Sequence, residues 1–181
     1  MATRSDETVT DAAGIAAAAS RAAGKGPPPV HLWDPPFCGD LDMEIRADGS
    51  WFYNGTPIGR PEMVRLFASI LKREGDSYFL VTPVEKVGIR VIDAPFIAVD
   101  ADLGDDILLT TNVGDRVVAG PDHAIEMRGT EDHPRPYVHI RRGLWALIDR
   151  KTFYRLADAA MPDESGRMNV HSGGTVFPLE P

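Results

Sequence analysis

Hydrophobic and polar positions alternate along most of the chain after Trp33, which is typical of strands that bury one face. Dipeptides such as Asp48-Gly49 and Asn54-Gly55 separate these stretches and suit hairpin turns with positive φ. The predicted strands are Leu41–Arg46, Ser50–Tyr53, Tyr78–Thr82, Val87–Val91, Phe96–Asp100, Ile107–Thr111, Val117–Val118, Ala124–Arg128, Tyr137–Ile140, Leu144–Ile148 and, with a glycine bend, His171–Pro178. The pattern predicts mostly antiparallel sheets.

Two segments instead have the spacing of amphipathic helices. The first is predicted to begin near Arg60, with Pro61 in its first turn, and to stop at Gly75. Its inward-facing side chains are expected to be Met63, Leu66, Phe67, Ile70 and Leu71. The second begins at Asp149, a good N-cap, and turns inward Phe153, Leu156, Ala157 and Ala160.

The two helices belong to a repeated unit. Residues 57–70 read PIGRPEMVRLFASI and residues 147–160 read LIDRKTFYRLADAA. A hairpin signal precedes each copy, Asn54-Gly55 in the first and Arg142-Gly143 in the second. The identical pairs are Ile58 and Ile148, Arg60 and Arg150, Arg65 and Arg155, and Leu66 and Leu156. A recurring unit predicts two related halves with a cleft between them. The fold class predicted is α+β, with one helix on each mostly antiparallel sheet.

Composition sets the domain limits and excludes several functions. Residues 1–29 are rich in alanine, which supplies helix propensity with little area to dock, so we predict a disordered tail there. An N-terminal α+β domain is expected over 30–83 and a C-terminal β domain with one helix over 84–181. A net charge of −8 argues against nucleic-acid polymers and anionic membranes. The single cysteine, Cys38, favours a cytoplasmic location.

Positive charge is concentrated between Pro134 and Ala157. In addition, Arg60 and Arg150 both lie at predicted helix starts, where a cation opposes the helix dipole by about 0.3–1 kcal/mol. A bound anion would compensate for this. The alternative is an internal ion pair, Arg60 with Glu85 or Arg150 with Asp93, which is the commoner use of arginine.

Lys86 and Arg90 follow Glu85 at the predicted domain junction and would share one face of an extended strand. They would either line a cleft that receives phosphate or carboxylate, or form a solvated strand face.

Catalytic signals are sparse. The acidic run from Asp100 to Asp106 fails as an EF-hand, since its sixth position is Asp105 and its twelfth is Thr111. No metal site or cofactor is expected, because the chain has no HExxH, GxSxG, GxGxxG or P-loop motif. His171 beside Ser172 is the one histidine we would test for chemistry.

Several motifs, in their order and spacing, resemble a bacterial family known as domain of unknown function 1285. They are Thr82-Pro83-Val84-Glu85-Lys86-Val87, Asp93-Ala94-Pro95-Phe96, the helix with Arg150-x-x-Phe/Tyr-x-x-Leu, and Ser172-Gly173-Gly174 with Phe177-Pro178-Leu179. The resemblance covers about residues 30–181. It implies a two-domain protein with a duplicated core and a C-terminal domain superficially like a pleckstrin-homology fold. It also implies a nucleotide-like ligand at the domain interface and a role in signalling or stress response, but no catalytic residue.

The leading hypothesis is therefore a cytoplasmic, bacterial binding module that holds a small anionic, nucleotide-like ligand between its two halves. The predicted ligand-binding residues are Arg60, Glu85, Lys86, Arg90, His139, Arg141 and Arg150. One alternative is a small hydrolase or metal-assisted enzyme that uses His171, Ser172 or the Asp100–Asp106 loop. Another is a protein-interaction adaptor without a small ligand.

Overall fold

A computed structural model describes residues 11–24 and 26–181 of the chain, which form two compact units. The first unit contains the described residues up to Glu44 together with Trp51–Arg90, and the second contains Ile45–Ser50 and Val91–Pro181. The units divide after Arg90, whereas the sequence pattern places the boundary after Pro83. The reason is strand pairing, because Tyr78 lies opposite Ile89 in one sheet.

The first unit is a six-stranded sheet with two helices. Its elements are α1 (Ala12–Ala22), a 3₁₀ turn (Val30–Leu32), β1 (Phe37–Ile45), β2 (Trp51–Tyr53), β3 (Thr56–Pro57), α2 (Pro61–Ser69), β4 (Leu71–Glu74), β5 (Ser77–Val81) and β6 (Lys86–Val91). The strand order across the sheet is β3-β2-β1-β6-β5-β4. Met43, Phe67 and Leu80 lie in its core with almost no exposed surface.

Helix α1 corrects the prediction of a disordered tail. It packs on α2 and buries Ile15 and Ala19 completely. Asp11 caps it, since its carboxylate accepts a hydrogen bond from the Gly14 N–H at 2.7 Å. The prediction from composition was wrong because one isoleucine among alanines provides enough apolar surface for a helix that packs closely. Residues 1–10 and 25, which also belong to the predicted tail, lie outside the described residues.

Helix α2 is shorter than predicted. It ends at Ser69, and the segment Leu71–Glu74, predicted as its last turn, is the strand β4. Leu71 is buried as expected, but it lies opposite Leu80 of β5. The segment reads LKRE and has one apolar residue, so its own pattern specifies neither period and tertiary pairing decides the outcome.

The second unit has one helix and two sheets. Its elements are β7 (Phe96–Leu103), β8 (Ile107–Thr111), β9 (Arg116–Val118), β10 (Ile125–Gly129), β11 (Pro134–Arg141), β12 (Leu144–Ile148), α3 (Arg150–Ala159), β13 (Met161–Pro162), β14 (Met168–Ser172) and β15 (Thr175–Pro178). The larger sheet has the order β10-β11-β12-β7-β8-β9, and the smaller has the order β13-β14-β15. Phe96, Leu109 and Leu156 are fully buried in this unit.

The two six-stranded sheets have similar topology, which confirms the predicted α+β class with a duplicated core. Each sheet consists of two three-stranded meanders, and the first strand of the earlier meander lies beside the last strand of the later one. These neighbours are β1 and β6 in the first sheet and β7 and β12 in the second. Helix α2 connects the meanders of the first sheet, whereas α3 follows both meanders of the second. In the second sheet the joining strands β7 and β12 are parallel, with Ile97 opposite Leu147.

The hairpin turn before each helix has the same backbone geometry. Asn54 and Gly55 have φ values of 50° and 76°, and Arg142 and Gly143 have 44° and 75°. These values fit two-residue type I′ turns, which match the twist of the flanking strands. Both turns were predicted from sequence.

Within the described part of the chain, every helix is too short or too polar to span a membrane.

Candidate functional site

A cavity of about 520 Å³ lies in the second unit, beside the first turns of α3. Its walls come from the start of β11 and the loop before it, the end of β12, and one face of α3. The lining residues are Asp132, His133, Pro134, Arg135, Pro136, Leu147, Ile148, Arg150, Phe153 and Tyr154. Its volume falls in the range of about 300–1,000 Å³ that is typical of small-molecule sites.

The N-cap of α3 fixes the helical wall of the cavity. The carboxylate of Asp149 accepts a hydrogen bond from the Thr152 N–H at 2.9 Å, as the sequence predicted for this residue. Arg150, Phe153 and Tyr154 then share one helix face, because they are spaced three and four residues apart. Thr152 and Leu156 are fully buried on the side that packs against the sheets.

Two of the side chains on this helix face remain available to a ligand. Tyr154 is 56% exposed although it is aromatic. Arg150 is exposed and has neither an ion pair nor a hydrogen bond among the residues that the structure describes. Its guanidinium is therefore available to bind an anion from solution.

The opposite wall presents a second arginine in a fixed position. Arg135 donates from Nη2 to the Asp93 carboxylate at 2.7 Å and from Nε to the Tyr137 hydroxyl at 3.0 Å. Tyr137 in turn donates its hydroxyl hydrogen to Asp93 at 2.8 Å. The hydrogen bond to Tyr137 and the Asp93 carboxylate raise the pKa of Arg135. The arginine is thus held charged, with half of its side chain still exposed.

Tyr137 is the buried centre of this network. It is 3% exposed, and burial raises the pKa of its hydroxyl, so Tyr137 stays protonated and remains a donor. The guanidinium of Arg128 lies 4.3 Å from the centre of its ring. These contacts leave Arg135 little freedom to rotate away from the cavity.

His139, predicted to bind ligand, is engaged by backbone groups of the loop before β10 and of its own hairpin turn. Its Nδ1 lies 2.8 Å from the Asp122 carbonyl oxygen, and its Nε2 is 3.0 Å from the Gly143 nitrogen. Since a backbone N–H can only donate, Nε2 is the acceptor and Nδ1 carries the hydrogen. Both ring nitrogens of His139 therefore stabilise loop and turn backbone.

Arg141, also predicted to bind ligand, is largely covered within the second unit. Its side chain is 27% exposed, its Nη2 lies 3.6 Å from Asp115, and its guanidinium lies 5.0 Å from the centre of the Phe96 ring. Burial lowers the pKa of this guanidinium, and Asp115 acts in the opposite direction. Its charge is thus partly offset inside the fold.

The predicted basic strand face of the first unit is balanced by acidic residues. Lys86 lies 3.1 Å from Glu74, and Arg90 lies 2.7 Å from Asp42 and 3.3 Å from Glu44. Hydrogen bonding from Lys86 lowers the pKa of Glu74, and Asp42 raises the pKa of Arg90. Both cations thus already have carboxylate partners.

Arg60 and Glu85 do not form the ion pair considered from sequence. Arg60 is the exposed N-cap of α2 and makes no capping bond with its side chain. The backbone N–H of Glu85 donates to the Thr82 hydroxyl at 3.1 Å. The other considered pair, Arg150 with Asp93, is also absent from the described residues, because Asp93 pairs with Arg135 instead. Of the predicted ligand-binding residues, Arg150 lines the cavity.

Two of the groups considered for catalysis, Ser172 and Asp100, have structural roles. Ser172 is 2% exposed, donates to the Ala119 carbonyl at 2.7 Å and accepts from the Ile107 N–H at 2.8 Å. Asp100, in the acidic run, pairs with Arg155 at 2.7 Å. Across residues 11–24 and 26–181, no three His, Cys, Asp or Glu side chains are grouped so that they could hold a metal ion.

Sequence reasoning missed most of the cavity wall. Phe153 was assigned to the core, and Arg135 was noted only as part of a basic stretch. The available signal was the spacing of Phe153 and Tyr154 relative to Arg150, which places an aromatic pair beside the cation on one helix face. The partner of Arg135 lies far away in sequence and gave no local signal.

Two family models together match residues 28–179 of the chain. The N-terminal domain of DUF1285, a domain of unknown function, matches residues 28–94. The C-terminal domain of DUF1285, described as a protein of unknown function, matches residues 95–179. The chain belongs to the DUF1285 family. No curated protein matches it.

Two crystal structures of DUF1285 family proteins are similar to this one. The protein from Silicibacter pomeroyi DSS-3 is 56% identical, with a TM-score of 0.84 over 92% of this chain and 94% of its own. The protein from Shewanella baltica OS155 is 34% identical, with a TM-score of 0.54 over 65% of this chain and 91% of its own. Both are bacterial, as the sequence motifs led us to expect.

Proposed function

We propose that this DUF1285 protein is a binding module whose cavity beside α3 takes a small anionic ligand with a planar, nucleotide-like body. The observation that carries the proposal is Arg150, an exposed guanidinium without a protein partner among the described residues, at the wall of a ligand-sized cavity. We further propose that occupancy of this site serves signalling or a stress response.

The chemistry of the wall suits such a ligand. Arg150 would bind a phosphate or carboxylate in a bidentate manner, and Arg135 would contribute further donors from the opposite wall. The rings of Phe153 and Tyr154 offer faces for a planar group, and stacking of a base on an aromatic side chain contributes about 1–3 kcal/mol. Leu147 and Ile148, at the end of β12, add apolar groups to the wall.

Binding is favoured over hydrolysis for a geometric reason. Ser172 uses its hydroxyl for two backbone hydrogen bonds in a buried position, so a substrate would have to displace both before reaching it. Among the described residues that line the cavity there is no serine, threonine or cysteine.

Calorimetric titration of the purified protein with adenosine monophosphate, at low salt, tests the proposal. We expect saturable binding that the Arg150→Ala variant weakens by about tenfold, because one charge-assisted contact is lost. The matched control is Lys151→Ala, which removes the neighbouring exposed cation of α3 and should leave binding unchanged. An Arg60→Ala variant tests in the same titration whether that arginine also takes part, as the sequence hypothesis holds.

Equal weakening by Arg150→Ala and Lys151→Ala would mean that only general charge matters, and it would contradict a built site. No binding by a nucleoside monophosphate or by its singly charged methyl ester, with the protein folded by circular dichroism, would also contradict the proposal.

A further inference from the structure

The charges around the cavity are nearly balanced. The ionisable groups at its wall are Asp132, His133, Arg135, Arg150 and Tyr154. Asp93 lies directly behind Arg135, 2.7 Å from Nη2. Two arginines then face two aspartates, and Arg150 is the cation of the wall that has no carboxylate partner among the described residues.

We infer that Asp93 sets the charge preference of this cavity, so that the ligand is a monoanionic phosphodiester rather than a phosphate monoester or a polyphosphate. This inference rests on the proposed function. Arg150, which has no ion pair among the described residues, can compensate one ligand charge. Because Asp93 and Asp132 already offset the positive charge of the two arginines, each further ligand charge would leave water without a cation to receive it, which is costly.

The position of Asp93 supports a role in selectivity without ligand contact. Asp93 does not line the cavity, and its side chain is only 26% exposed. Its carboxylate is held by the Arg135 guanidinium and by the buried Tyr137 hydroxyl, so it cannot swing away when a ligand enters. The same contacts occupy Nε and one N–H of Nη2, which leaves mainly Nη1 of Arg135 for the ligand.

Two ligands with the same base and sugar but different charge separate this inference from simple anion binding. At about pH 8, adenosine monophosphate carries close to two negative charges, since the second pKa of a phosphate ester is about 6, whereas its methyl ester carries one. We expect the wild-type protein to bind the methyl ester at least as tightly as the monophosphate in calorimetric titrations.

The Asp93→Asn variant should move the preference toward the monophosphate by about tenfold, because it removes a negative charge a few ångströms from the ligand. The control is Tyr137→Phe, which removes a hydrogen bond to Asp93 but keeps its charge. It should retain the wild-type preference, even if both affinities fall.

The outcomes distinguish the two proposals. If wild type binds the monophosphate more than about threefold tighter than the ester, or if Asp93→Asn leaves the preference unchanged, the inference about Asp93 is wrong while the binding site stands. If neither ligand binds, or if Arg150→Ala has no effect on either, the proposed function fails and this inference fails with it. Should Asp93→Asn not fold, the wild-type comparison alone decides.

Discussion

The two copies of the helix-bearing unit place the same arginine in different surroundings. In the first copy Arg60 is the N-cap of α2, and Met63 and Val64 occupy the positions three and four residues later. In the second copy Asp149 is the N-cap, and Arg150 follows it as the first helical residue. There Phe153 and Tyr154 occupy the corresponding positions and line a cavity.

This difference gives only the second of the two aligned helices a place in the wall of the described cavity. The turn before the helix and the strand order of the sheet are kept, because they determine whether each unit folds. The residues at the helix start and one turn later differ between the copies, so folding of each unit does not require the same residues at these positions. In the second copy, a true N-cap and an aromatic pair at these positions form one wall of the cavity.

The largest expected effect concerns an aligned leucine pair on the inward faces of the helices. Leu156 is fully buried, whereas Leu66 is only half-buried. Leu156→Ala should lower the free energy of unfolding by about 3 kcal/mol, since it leaves a cavity, and Leu66→Ala by about 1 kcal/mol. Denaturant unfolding followed by tryptophan fluorescence measures both, and equal losses would contradict the difference in packing.

Much of the fold was predictable from local signals, whereas the site was not. Alternation located the strands, the dipeptides Asn54-Gly55 and Arg142-Gly143 located two turns, and Asp149 marked the start of α3. The prediction was wrong where contacts with other elements determine the local structure. Strand β4 was predicted as helix, and α1 was predicted as part of a disordered tail. Asp93 was considered a partner of Arg150. In the structure Asp93 pairs with Arg135 instead, so Arg150 lacks this ion pair.

The N-caps provide a test of intermediate size. Replacing Asp149 by alanine removes the bond to the Thr152 N–H and should destabilise the protein by about 1 kcal/mol. Conversely, Arg60→Asp should stabilise it by about 0.5–1 kcal/mol, because the backbone at this position is already extended and lacks a capping bond. Thermal unfolding of both variants checks the signs, and a loss of stability in Arg60→Asp would show that its arginine has a structural partner.

The smallest expected effect concerns the turn before each helix, where the copies differ by one residue. Arg142 adopts a φ of 44°, a left-handed conformation that asparagine tolerates better than arginine, and Asn54 adopts 50° at the corresponding place. Arg142→Asn should therefore stabilise the protein by about 0.5 kcal/mol, and the reciprocal change Asn54→Arg should destabilise it by a similar amount. Denaturant midpoints at an unchanged slope would measure both shifts. The expected opposite signs would mean that turn conformation sets both effects, whereas a loss of stability in Arg142→Asn would mean that Arg142 makes contacts that outweigh its backbone strain.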